Sequence, residues 1–285
     1  MSRRPLAPNI VIASDNHAGC RFGLLPPEGV ILDGGFPARP SRLQLKMWEF
    51  WEEGWDWVRR VTKGEPFDFV HNGDIVDGVH HGATSQITHN MKDQRKIAFA
   101  VLKPQVDACH RSGGQFYSTR GTPSHVGPSG EDEETVAREL GAVKNENGEH
   151  SHWELWHRVG RKGTRGHLCH FAHHIGTTSS QSYESTAVHK EKVEQFVESG
   201  KSGSRPPDVI VRSHRHRYIE IRQGQGDGMG VSLVTPGWQA KTPFSYRLSL
   251  GRVAPPEFGL VLIRAGDEEL HTRFYRRQIE RPKEL

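Results

Sequence analysis

Residues Phe67–Gly78 read FDFVHNGDIVDG, and this stretch decides the fold. Phe67, Phe69 and Val70, set around Asp68, make a short apolar run that ends in a turn signal, the pattern of a buried strand. The run passes through His71-Asn72-Gly73 into two carboxylates, Asp74 and Asp77. Glycine at 73 lets the backbone bend sharply as the strand ends, so Asp74 projects out of the sheet rather than along it. That carboxyl edge is where open α/β sheets hold ligands. A single G-D-x-x-D occurs by chance in many chains, and its weight here comes from the other strand ends.

Asn9–Ala13 (NIVIA) is a second such run and leads into Ser14-Asp15-Asn16-His17. Residues two apart on a strand face the same side, so Asp15 and His17 can reach one point. A carboxylate oxygen beside an imidazole nitrogen suits Zn, Mn, Fe or Ni better than Ca or Mg. Residues 20–40 are rich in Gly and Pro and read as a loop. Ser41-Arg42-Leu43-Gln44 then has capping-box spacing and predicts a helix running to about Thr62. Leu43, Met47, Trp48, Trp51, Trp55 and Val58 step along it by three and four, a stripe for a core rather than a stacking platform. Gly54 inside it costs roughly 1 kcal/mol against alanine. Strand, helix and strand together form a β-α-β unit.

Beyond Asp77, the segment GVHHGATSQITHN sets His80, His81 and His89 in a loop that could line a cleft. A helix is expected from about Asp93 to His110, kinked at Pro104, and then a strand over Gln115–Thr119. This strand ends in Arg120-Gly121-Thr122-Pro123-Ser124-His125. Glu131–Leu140 reads as a short helix whose acidic first turn suits the helix dipole. His152–Val159 and Leu168–His173 read as adjacent strands joined by the basic turn RKGTRG, the second ending in His173-His174. After a helix around Ser185–Glu198, Asp208–Arg212 (DVIVR) is another buried strand, ending in Ser213-His214-Arg215-His216. The turn GQGDGMG between Tyr218–Arg222 and Val231–Thr235 lacks dinucleotide-binding spacing and opens no helix, so it reads as a hairpin. Strands near Leu260–Arg264 and Thr272–Arg276 complete a single domain over 1–285.

A chain of 285 residues fits one large domain better than two small ones. Its 18 histidines are an unusual load for this length, whereas its three cysteines are odd in number and widely spaced. They make no disulfide or zinc-ribbon framework and suit a reducing cytoplasm, the expected location. No apolar run approaches the roughly 20 residues a bilayer demands. MSRRPLAPN has no apolar stretch behind it, so no signal peptide is expected and a membrane is not an expected partner. The net charge of +4 is mild. The basic end HTRFYRRQIERPKEL reads as a solvated tail or as a patch that gathers phosphates.

Taken in order, five strand ends deliver D-x-H, G-D-x-x-D, a turn ending in His125, a further histidine, and H-x-H. This ordered series resembles the calcineurin-like metallophosphoesterase superfamily over about Asn9 to His216. The resemblance implies an α/β (α+β) fold, a four-layer αββα sandwich of two mixed β-sheets flanked by helices. It implies two divalent metal ions drawn from Mn, Fe, Zn or Ni, with Mn favoured. One ion would take Asp15, His17, bridging Asp74 and His216. The other would share Asp74 and add His173 and His214, with His174 as the alternative to His173. Asp77 would support His125, which would stand beside the phosphate as general acid. The family's usual G-N-H-[DE] is absent. Here Gly121-Thr122-Pro123-Ser124-His125 has no asparagine, so Thr122, Ser124, a water or His125 itself would complete the second site.

The chemistry implied is hydrolysis of a phosphate ester by in-line attack of a water acidified between two ions. H-x-H at the last strand favours phosphodiesters, with nucleic acid or a nucleotide as candidate substrate. A phosphomonoesterase or protein phosphatase on the same fold is the alternative within the class. Outside it stand a catalytically weak scaffold and a histidine-rich metal store. Ligands spread over five strand ends, in place of one histidine tract, speak against the store.

Overall fold

NIVIA and FDFVHN pair in parallel, from Asn9 opposite Phe67 to Ala13 opposite His71, and all of their residues are buried. A parallel pair covered on both faces explains why both segments read as continuous apolar runs. The structure is a computed structural model and describes residues 4–80, 82–176, 180–225, 228–248, 255–266 and 269–279.

The strands are β1 (Asn9–Ala13), β2 (Val30–Ile31), β3 (Pro37–Ala38), β4 (Phe67–Asn72), β5 (Phe116–Thr119), β6 (Ser151–His152) and β7 (Leu155–Val159). They continue with β8 (His167–Phe171), β9 (Val209–Arg212), β10 (Ile219–Gln225), β11 (Gly228–Val234), β12 (Phe258–Ala265) and β13 (Leu270–Arg277). The helices are α1 (Arg42–Thr62), α2 (Met91–Arg111), α3 (Pro123–Val126), α4 (Glu131–Glu139), α5 (Glu184–Ser202) and α6 (Pro243–Leu248).

Six strands form one mixed sheet in the order β13-β12-β1-β4-β5-β6, and five form another in the order β10-β11-β9-β8-β7. The sheets face each other through Ile10, Ile12 and Val70 on one side and Phe171, Val209, Val211 and Leu233 on the other. Helices α1 and α2 cover the outer face of the first sheet, and α5 covers the second through Val188 against Ile219 and Ile221. The result is the four-layer αββα sandwich.

The β1–α1–β4 unit forms as its sequence directs. Ser41 Oγ accepts from the Gln44 amide at 3.2 Å while Gln44 Oε1 accepts from the Ser41 amide at 3.1 Å. Met47, Trp51, Trp55 and Val58 are buried, and Trp51 lies edge-on to Trp55 and to Trp238, at 5.5 and 4.8 Å between ring centres. Gly54 lets the helix lie close to the sheet, since a Cβ there would come 3.1 Å from both Leu260 and Tyr275.

Two local readings differ from the structure. Within 20–40 lies a short ribbon, β2 with β3. The expected strand over His152–Val159 is two strands in different sheets, β6 beside β5 and β7 beside β8. Apolar alternation cannot show a crossing from one sheet to the other. Helix α2 continues through Pro104 as one element. The hairpin is β10 with β11, Ile219 opposite Val234, while 226–227 lie outside the described residues. Among the described residues no helix is long and apolar enough to cross a membrane.

Candidate metal centre

The backbone marks the site before any side chain does. Asp15, His17, Asp74, His214 and His216 all have positive φ, at 55°, 44°, 56°, 71° and 51°. Among the described residues one other non-glycine shares that conformation, Lys63 at the end of α1. L-residues seldom adopt it, and such outliers gather where function holds them in place. The turns after β1 and β4 are locked together by Asp15 N–H to the Gly73 carbonyl at 2.9 Å and His17 N–H to the Asp74 carbonyl at 3.1 Å. Gly73 has φ 89°, and a Cβ there would come 2.3 Å from His173 Nδ1. Gly121 is needed for approach, since its Cβ would lie 2.2 Å from Asp74 Oδ1.

Side chains from these turns converge in two adjoining groups, Asp15 with His17 and His216, and Asp74 with His173 and His214. In the first, His216 Nε2 lies 3.2 Å from both Asp15 Oδ1 and His17 Nε2. In the second, His173 Nε2 lies 3.0 Å from Asp74 Oδ2 and His214 Nδ1 lies 3.9 Å from it. The groups meet at the same oxygen, because His17 Nε2 is also 3.9 Å from Asp74 Oδ2. His173 is buried with its Nδ1 donating to the Asn72 carbonyl at 2.8 Å, whereas His174 is exposed. That bond leaves the His173 Nε2 lone pair for the cluster, the usual tautomer of a ligating histidine.

At the third motif, Thr122 N–H donates to Asp74 Oδ1 at 2.6 Å, and its hydroxyl lies 3.1 Å from Asp74 Oδ2 and 3.2 Å from His214 Nδ1. Thr122, rather than Ser124, therefore stands beside the second group. His125 Nδ1 donates to the main-chain carbonyl of Asp77 at 2.6 Å. The expected support comes from that carbonyl and not from the carboxylate. The Asp77 carboxylate instead lies 3.2 Å from His17 Nδ1 and accepts from Gln86 at 2.8 Å and Gln239 at 2.9 Å. It thus orients His17. His80 borders the same cavity, His89 does not, and His81 lies outside the described residues. The cavity is about 370 Å³, and its walls include His17, Asp74, His125, His216, Arg215 and Lys241.

No family model matches this chain, and no curated protein matches it. Among solved structures it is similar to vacuolar protein sorting 29 from Cryptosporidium parvum, with a TM-score of 0.37 and 10% identity over 96% of this chain and 100% of that one.

The donor set fits a cation. Asp15 Oδ1 and His173 Nε2 are buried at the cluster without a geometrically satisfied hydrogen bond, where a cation displacing the His173 proton would meet both. Nitrogen and oxygen ligands of one tetrahedral ion at about 2.1 Å stand about 3.4 Å apart; the 3.0 and 3.2 Å contacts here are close to that spacing. Charge agrees. Burial works to lower the His173 pKa, yet Asp74 and Asp15 overcome it and hold the ring up at about 10. Burial raises Asp15 and Asp74, but the facing histidines bring both carboxyls well below their usual range. The cluster demands positive charge. Burial also lowers His125 to about 4 and His71, bonded to Asn16 at 3.1 Å, to about 3, so both are neutral rings.

Two supports escape a reading of the sequence. The first is a chain of buried polar groups at the strand ends. With Asp15 ionised, Ser14 Oγ must donate to it, at 2.5 Å, and so accepts from Thr235 at 2.7 Å. Thr235 accepts from Ser213 at 2.7 Å, Ser213 from the Asn72 amide at 2.7 Å, and Asn72 Oδ1 from Thr119 at 2.8 Å. Every donor in this file points toward Asp15, each bond polarising the next. The only hint in sequence is that serine precedes both ligand pairs, Ser14 before D-x-H and Ser213 before H-x-H.

The second is Glu133, fully buried, which accepts from Ile75 N–H at 3.1 Å and also from Gly121 N–H. Burial, then Asp74, pushes its carboxyl up to about 8. The acidic run of α4 reads as a dipole match, although Glu133 shares a face with Val136 and Ala137. Above about pH 8, where this carboxyl is ionised and both oxygens accept, Glu133→Gln would turn an NH₂ toward one of the two amides and strand a buried donor, at about 1–3 kcal/mol. Chemical denaturation should show that loss, and metal affinity should fall by about 10- to 100-fold. Unchanged values for both would remove Glu133 from the site's support.

Proposed function

We propose that this chain is a metal-dependent phosphoesterase acting on phosphodiesters, built as one domain over residues 1–285. The observation that carries this reading is the convergence of Asp15, His17 and His216 with Asp74, His173 and His214 about a shared Asp74 oxygen. Asp15, His17, Asp74 and His216 would hold one divalent ion, and Asp74, His173 and His214 the other, with Mn²⁺ favoured. Such a pair, when bound, acidifies a water and clamps the attacking and leaving oxygens of an in-line displacement at phosphorus.

The protein's own groups supply the rest. The Asn72 carbonyl holds His173 in the tautomer that turns Nε2 to the cluster, and the Asp77 carboxylate lies 3.2 Å from His17 Nδ1. His125 keeps its Nδ1 proton against the Asp77 carbonyl, which leaves Nε2 for the cavity. The negative charge of an arriving phosphate raises the pKa of that ring, and the proton it gains passes to the leaving oxygen. Arg215 and Lys241 bring positive charge to the lining of the cavity. A cavity of about 370 Å³ seats a phosphate with a substituent on either side, which supports a diester over a monoester and leaves room for a nucleotide or a nucleic-acid strand.

The test is turnover of bis(p-nitrophenyl) phosphate beside p-nitrophenyl phosphate and single-stranded DNA, with Mn²⁺, Ni²⁺, Zn²⁺ or Mg²⁺ added in turn. Diester hydrolysis that needs Mn²⁺ and stops with a chelator is the expected result. No turnover of any substrate with any of the four ions would leave a binding scaffold in place of an enzyme.

A further inference from the structure

We propose that a second anion site lies at the far end of the sheets, in a cavity of about 510 Å³ walled by Arg4, Arg158, Arg161, Lys162, Thr164 and Arg165, and that it binds a chain of two or more phosphates. Four of these residues belong to RKGTRG, the turn that joins β7 to β8. Strand β8 starts at this turn and leads to His173 at the metal centre. Six residues at about 3.3 Å each set the two sites about 20 Å apart.

Five cations wall the cavity, and among the described residues that line it there is no carboxylate, amide or aromatic side chain. Three of the five are engaged nearby. Arg4 pairs with Asp68 at 3.1 Å, Arg161 with Glu65 at 3.5 Å, and Arg158 donates to the Gly166 carbonyl at 3.3 Å. Lys162 and Arg165 are exposed, and among the described residues neither has an ion pair. Burial, then crowding by Arg205 and Arg165, lowers the Arg158 guanidinium from its ordinary value. Like charges held this close repel, and a bound polyanion would offset the repulsion. Guanidinium forks match pairs of phosphate oxygens. No aromatic side chain lines the wall to make a stacking platform, so the phosphates are the main handle on the ligand. The cavity is roomier than one phosphate requires, which points to a chain of them.

That chemistry has two sources, a nucleic-acid backbone and a small polyphosphate. Calorimetric titration of the wild-type chain with a twelve-residue oligothymidylate and, separately, with inorganic triphosphate tells them apart. Binding of the oligonucleotide alone assigns the backbone, and binding of triphosphate assigns the small polyphosphate. In either case the double variant K162Q/R165Q should bind at least tenfold more weakly, and its exposed substitutions should leave the fold intact. Asp74→Asn should bind as the wild type does, whether or not the proposed phosphoesterase activity is real. The proposal is overturned if neither ligand binds, if K162Q/R165Q binds like the wild type, or if Asp74→Asn abolishes binding and so places the ligand at the metal centre.

Discussion

Asp74→Asn is expected to lower the hydrolysis of bis(p-nitrophenyl) phosphate by about 10³-fold or more, because in the proposed centre one oxygen would serve both halves. Asp74 Oδ2 is the point within 3.0–3.9 Å of His173, His17 and His214. The substitution is nearly isosteric, yet Thr122 dictates its outcome. Thr122 N–H donates to Asp74 Oδ1 at 2.6 Å, so an asparagine must present its oxygen there. Its NH₂ then occupies the shared position, where it cannot coordinate. Folding should survive, since removing a buried charge that repels Glu133 costs little once its partners relax. His173 loses the carboxylate that holds it near 10 and returns toward a neutral ring. Thermal unfolding without added metal therefore separates loss of chemistry from loss of fold. Full turnover in this variant would refute the shared-ligand reading.

His125→Gln carries the second large effect, a fall in kcat of about 10²- to 10⁴-fold with metal content unchanged. The size should depend on the leaving group. A p-nitrophenolate departs readily without a proton, whereas the sugar alkoxide of a dinucleotide needs one. The deficit should thus be small on bis(p-nitrophenyl) phosphate and large on a dinucleotide. Equal deficits on both would make His125 a positioning or ligating group, as its place within reach of His17 and Asp74 also permits. In the wild type, a proton-donating His125 loses its proton as pH rises through its pKa. That pKa is about 4 in the free protein, where burial dominates, and higher once phosphate charge faces the ring. Turnover of the dinucleotide should therefore decline toward high pH, and this alkaline limb should vanish in His125→Gln.

Much of this was legible in the chain itself. FDFVHN and NIVIA read as strands because both faces are covered, and Ser41 with Gln44 announced the start of α1. The D-x-H and H-x-H pairs could be seen to leave strand ends, although their meeting depends on two sheets no local pattern describes. What stayed hidden was contact between distant segments. Glu133 looks like a surface residue in an acidic turn until β4 and β5 bring Ile75 and Gly121 against it. Asp77 was expected at His125, but its carboxylate lies beside His17 and His125 bonds to its carbonyl. The split of 152–159 between sheets was invisible for the same reason, since burial on either sheet looks alike in sequence.

The most direct test is the metal content of the purified chain after loading with Mn²⁺ and removal of free ion, measured by inductively coupled plasma mass spectrometry at mildly alkaline pH. Two ions per chain are predicted for the wild type, at most one for Asp74→Asn, and none once acid has protonated the histidines. A wild-type chain that holds no ion under these conditions, with its fold intact, would contradict the account at its centre.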